Sequence, residues 1–94
     1  MNEDIVLEWD EGNAGHLNYG FTVELCEQVA SNFPVVILDF RKGTSGSHFF
    51  IAPDDNGRMW TIAVLQKGGN LWRPITGWPS TNRQIRLYRE ESND

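Results

Sequence analysis

His48, Arg73, Arg83 and Arg86 are the side chains of this sequence whose types suit transfer at a phosphodiester. Cleavage of RNA through its own 2′-hydroxyl needs no metal. The attacking oxygen must lose a proton, the phosphorane charge must be balanced, and the leaving oxygen must gain a proton. Arginines can balance that charge, and a histidine, lysine or tyrosine can move the protons. Splayed bases are held by stacking on aromatic rings. Arg58, Lys67, Trp72 and Trp78 are the residues expected to hold such a substrate, with Trp60 and Tyr88 near them. Four of the six arginines and two of the four tryptophans fall between Trp72 and Arg89. Against this stands the plain alternative that aromatic residues in strands more often fill a core.

Other chemistries find less. His16, His48 and Cys26 fit no metal-ligand spacing, so no metal or other cofactor is expected. Asp54-Asp55-Asn56-Gly57 lacks the length and terminal glutamate of a calcium loop and reads as a turn. Neither a phosphate-cradling glycine loop nor a nucleophile elbow occurs. Cys26 falls on an apolar helix stripe, where a thiol is inert. The acidic pairs Asp10-Glu11 and Glu24/Glu27 sit where helices start, and carboxylates there favour the helix dipole.

Charge is unevenly distributed. Residues 1–32 hold seven acids and no Lys or Arg, whereas residues 33–89 hold all eight basic residues and three acids. The net charge of −5 therefore conceals a basic part on an acidic chain, and either a polyanion-binding face or mutual attraction of the two parts would account for it. Ninety-four residues make one domain. No apolar run approaches the roughly 20 residues that span a bilayer, and "MNEDIVLEWDEG" lacks the basic start of a signal peptide. With a single cysteine as well, a cytoplasmic location and no membrane partner are expected.

The elements that would position these residues follow from pattern. "IVLEW" (Ile5 to Trp9) suits a short first strand. Asp10 caps a helix to about Leu17, ending near Gly20. Thr22 caps a second, on which Leu25, Val29 and Phe33 make one apolar stripe until Pro34. "VVILDF" (Val35 to Phe40) is continuously apolar, which predicts a central strand covered on both faces. "HFFIA" and "MWTIAVLQ" flank Asn56-Gly57, a strong hairpin signal. "NLWRPITGW" follows the Gly68-Gly69 turn, with Pro74 predicting an edge or a bulge. Thr81 and Gln84 fit a capping box that opens a last helix, with Ile85 and Tyr88 toward the sheet and Arg83 and Arg86 on another face. The fold class expected is α+β: two amino-terminal helices, a small antiparallel meander and a carboxy-terminal helix.

Three stretches resemble the BrnT-type toxins of the RelE-like superfamily of bacterial ribonuclease toxins. "EWDEGNAGHLNYGFTVELCEQVASN" (Glu8 to Asn32) is similar to the family's opening, "DDNGRMWTIAVLQKGG" (Asp54 to Gly69) to its hairpin and apolar strand, and "WRPITGWPSTNRQIRLYREE" (Trp72 to Glu91) to its ending. The resemblance covers about residues 5–91. It implies a RelE-like fold, a metal-independent ribonuclease toxin, and an antitoxin encoded with it that covers it. Arg73 matches the strand arginine, Arg83 and Arg86 the closing-helix arginines, and Arg58 the turn position. The chain departs from the family where Trp78 stands at an arginine position, Gln84 at a glutamate position, and Asn18-Tyr19-Gly20 at a basic-His-Gly step. The second reading is a non-catalytic binding module of phage or plasmid origin, in which the acidic amino-terminal third, with Glu24 and Glu27, meets a protein partner.

Overall fold

The runs HFFIAP and MWTIAVLQKG form the centre of a sheet, as β3 (His48–Pro53) and β4 (Met59–Gly68), in a computed structural model that describes residues 4–15 and 21–92. The Asn56-Gly57 turn joins them. Gly57 takes φ +86°, which a side chain resists, and its N–H donates to Asp54 O at 3.1 Å. Asp54 fixes the turn by accepting from the Asn56 and Arg58 amides at 2.8 and 3.0 Å. β2 (Val35–Leu38) pairs antiparallel with β3, and β5 (Leu71–Pro79) antiparallel with β4.

The sheet is nevertheless mixed, not the RelE-like antiparallel meander expected from the sequence. β1 (Val6–Leu7) lies parallel to β5, which gives the order β1-β5-β4-β3-β2. The Val6 and Glu8 amides donate to Asn70 O and Trp72 O at 2.9 and 2.8 Å. This strand leaves into helices, not a hairpin, so its direction is not tied to a sequence neighbour, and a parallel pairing is open to it. β2 is likewise an edge strand, not a central one. Its side chains alternate between half-buried Val35 and Ile37 and exposed Val36 and Leu38, so only one of its faces is covered. Pro74 stands in an interior strand, beside the bulge between Ala63 and Val64. Its missing N–H is harmless because β1 has already ended, and its carbonyl accepts from Asn13 Nδ2 at 3.1 Å.

Three helices occur among the described residues: α1 (Glu11–Ala14), α2 (Val23–Ser31) and α3 (Asn82–Ser92). Asp10 caps α1, accepting from the Gly12 amide at 2.7 Å, while Asn13 Oδ1 accepts from the Asp10 amide at 2.8 Å. α1 stops at Ala14; Leu17, Gly20 and the Asn18-Tyr19-Gly20 step lie outside the described residues. Thr22 caps α2 by accepting from the Leu25 amide at 3.1 Å. The apolar stripe ends with Val29 and Ala30. Phe33 does not extend it: Pro34 disfavours the right-handed helical region for Phe33, which takes φ 55° with its ring exposed.

Residues alternating onto one side of the sheet make the main core. Phe50, Ala52, Trp60, Ile62, Val64 and Trp72 pack there with Phe21, Cys26 and Val29. The other side carries Phe49, Ile51, Thr61 and Trp78, and α3 meets it through Gln84. No helix among the described residues is long and apolar enough to cross a membrane.

Candidate anion-binding site

The expected capping box at the start of α3 is formed, and it does more than cap. Gln84 N donates to Thr81 Oγ1 at 3.2 Å, and Gln84 Oε1 accepts from the Thr81 amide at 2.9 Å. The same oxygen accepts from Thr61 Oγ1 at 2.9 Å and from Trp78 Nε1 at 3.3 Å. One carboxamide thus ties the helix start to two strands. Ile85 and Tyr88 are half-buried, Tyr88 against the core, while Arg83, Arg86 and Arg89 are exposed. At about 100° per residue, Arg83 and Arg86 share the outward stripe, opposite Gln84 and Tyr88. Neither forms an ion pair among the described residues.

Arg73 is placed differently. Its guanidinium donates to Asp10 through two N–H groups, each at 2.9 Å, and to Glu8 Oε1 at 3.1 Å. The Arg73 hydrogen bonds draw the Asp10 carboxyl down to about 2, and the Asp10 and Glu8 carboxylates raise the arginine further. The strand arginine is therefore neutralised by the two acids that flank Trp9. Lys67 Nζ comes within 4.0 Å of Glu8 at the same place.

Trp78 lies half-buried on the α3 side of the sheet. Its ring stands edge-on to Phe49, with centroids 5.6 Å apart, and the Arg41 guanidinium lies over both rings at 5.0 and 5.1 Å. Arg41 is held by Asp39, at 3.0 Å through Nε and 2.8 Å through Nη2, and this pairing lowers the Asp39 pKa and raises that of Arg41. Sequence reasoning missed Arg41. The signal was the Asp39-Phe40-Arg41 spacing just after an apolar strand, where a short acid can fold an arginine back on the chain.

The remaining candidates are scattered. His48 and Trp72 lie on the opposite side of the sheet from Gln84 and Trp78. His48 stands edge-on to Trp72 at 5.1 Å, and its Nδ1 lies 2.8 Å from Ser47 Oγ. Trp72 is buried in the core cluster, also against Phe50 at 5.0 Å, so its face is closed to a base. Arg58 is exposed, with its guanidinium 4.8 Å over Trp60, while the Trp60 indole donates to Asp54 at 2.9 Å. Burial would raise the Asp54 pKa, but donors from Trp60, Arg58 and Asn56 outweigh it and lower it. Glu24 is exposed, whereas Glu27 accepts from Trp9 Nε1 at 2.8 Å. Cys26 is fully buried, and burial pushes its thiol up to about 12.

The structure thus brings Arg41, Arg73 and Trp78 onto the side of the sheet that α3 occupies, and leaves His48 on the other. Exposed Arg83, Arg86 and Arg89 lie together on α3, with exposed Lys42, Arg58 and Lys67 elsewhere. Such an arrangement can hold phosphate groups by charge and by forked hydrogen bonds. Comparison of the chain with family models, with curated proteins and with solved structures finds no match.

Proposed function

We propose that this protein is the toxin of a toxin–antitoxin pair, acting in the cytoplasm on RNA, with the outward arginine stripe of α3 gripping the RNA backbone. The observation that carries the reading is the contrast among its arginines. Arg41 and Arg73 are tied to carboxylates, while Arg83 and Arg86 are exposed and without ion pairs among the described residues, on a helix whose start is fixed by Gln84. The resemblance of Glu8 to Asn32, Asp54 to Gly69 and Trp72 to Glu91 to BrnT-type toxins supports the same conclusion. In the reaction so envisaged, the RNA 2′-hydroxyl gives its proton to solvent water and its oxygen attacks the adjacent phosphorus to form a 2′,3′-cyclic phosphate, while the P–O5′ bond breaks and the leaving 5′-oxygen takes a proton from solvent water. Arg83 and Arg86 balance the phosphorane charge. A cognate antitoxin would cover this basic surface until released.

A second reading is favoured by the closure of Arg73 and the position of His48. With Arg73 neutralised by Glu8 and Asp10 and His48 across the sheet, neither of these two stands beside a phosphate held by α3. The protein would then be a non-catalytic binding module, and exposed Glu24 would belong to its partner surface. Induced expression in a bacterium separates the two. The toxin reading expects growth arrest with fragmented total RNA, and relief of both by Arg83→Ala with Arg86→Ala. Normal growth and intact RNA from folded protein would overturn it. Charge reversal at Glu24 that weakens a captured complex would favour the module.

A further inference from the structure

The β2 edge is built to accept another strand. Asp39 N donates to Ser47 O at 3.0 Å, and in the β2–β3 register this makes Asp39, Ile37 and Val35 the residues whose backbone groups face β3. The Asp54 N to Arg58 O bond at 2.8 Å fixes the same phase from the other side of β3. The N–H and C=O groups of Val36 and Leu38 therefore point outward, away from the sheet. These are also the β2 residues with exposed side chains, at 41% and 53%, and Phe40 beyond them is 83% exposed.

Phe33 adds an independent sign. It holds φ 55° with its ring 70% exposed, so an unfavourable backbone conformation is combined with an aromatic ring that this chain leaves uncovered. Among the described residues, four of the five exposed large hydrophobics thus fall between Phe33 and Phe40. Edge strands are usually blunted by charge or proline, and no charged side chain or proline lies within Val35–Leu38.

We propose that β2 pairs antiparallel with β2 of a second copy of this chain, Leu38 facing its own counterpart, so that two five-stranded sheets join into one. In this register Val36 faces the counterpart of Phe40, and outward N–H groups meet outward C=O groups. All the side chains on that face are apolar. Ile37 faces the counterpart of Asp39, a carboxylate already neutralised by Arg41, so no like charges oppose. In this register Val36, Leu38 and Phe40 stand beside their counterparts across the seam, so apolar surface that each copy exposes is covered in part.

The test is mass in solution, by light scattering and sedimentation over a concentration series, joined to amide exchange. The proposal expects twice 10.7 kDa, with the Val36 and Leu38 amides protected. Leu38→Lys should raise the dimer dissociation constant at least tenfold. Leu38→Pro removes only the outward N–H and should do the same. A monomer throughout overturns the proposal, as does a dimer in which the Val36 and Leu38 amides exchange freely. A monomer whose β2 becomes protected only when another protein is added also overturns self-pairing. Should either variant misfold by circular dichroism, the exchange pattern of the unaltered protein still decides.

Discussion

Arg73 holds Asp10 end-on, Nη1 to Oδ2 and Nη2 to Oδ1, each at 2.9 Å. The pairing joins β5 to the residue that caps α1, so a side chain that looks catalytic in the sequence is a clamp in the fold. It also gives the acid side of the stability profile a specific cause.

The Asp10 carboxyl titrates at about 2 in the folded chain, below the ~3.9 of an unfolded aspartate. Its contribution is therefore present above about pH 4 and is lost as pH falls toward 2. Asp10→Asn keeps a capping oxygen but loses the charge. Thermal melts of both proteins from pH 7 to pH 2 should show a lower Tm for the variant at pH 7 and a gap that closes near pH 2. A gap independent of pH would contradict the clamp.

Gly77 lies against Phe21 so closely that a Cβ at this position would sit 2.2 Å from the ring. Phe21 is 2% exposed and packs on Trp60, so it has no room to move. Gly77→Ala should cost about 1–3 kcal/mol or more through overpacking. Urea unfolding measures it; a variant as stable as the parent would show that the ring can yield.

Gln84 Oε1 gathers donors from Thr61, Trp78 and Thr81. Gln84→Ala should lower stability by about 1–3 kcal/mol, since it strips a partner from buried polar groups. Gln84→Glu keeps an acceptor and should lose much less. Denaturant curves compare the two, and Trp78 fluorescence should shift in the alanine variant alone.

Cys26 should resist alkylation at pH 8, because its thiol is fully buried and pushed up to about 12. Iodoacetamide should modify it only as fast as the chain opens. Labelling within seconds in the folded protein would mean that α2 does not seal the core.

Local signals were the legible part of this fold. Asp10, Thr22 and Thr81 were readable as caps because a cap is satisfied within three residues. Asn56-Gly57 was readable as a hairpin for the same reason. The strand order was not. Val35 to Leu38 is apolar throughout, which implies burial on both faces, and only the absence of a further strand beside it among the described residues makes it an edge. The parallel pairing of β1 depends on a contact between Val6 and Leu71, for which no local pattern exists. At the site, Arg83 and Arg86 were placed correctly on an outward helix face by their spacing alone. The fate of Arg73 depended on Glu8 and Asp10, more than sixty positions away, and that of Trp78 on Arg41 folding back over it.

The proposed role of α3 is a grip of Arg83 and Arg86 on an RNA backbone. Its most direct measurement is the dissociation constant for a labelled single-stranded RNA across a salt series, for the protein and for Arg83→Ala with Arg86→Ala. Each lost phosphate contact should flatten the log–log salt dependence by about 0.7. The predicted result is weaker binding in the double variant with a slope reduced by roughly 1.4. Equal affinity and equal slope in the two proteins, both folded, would contradict the claim.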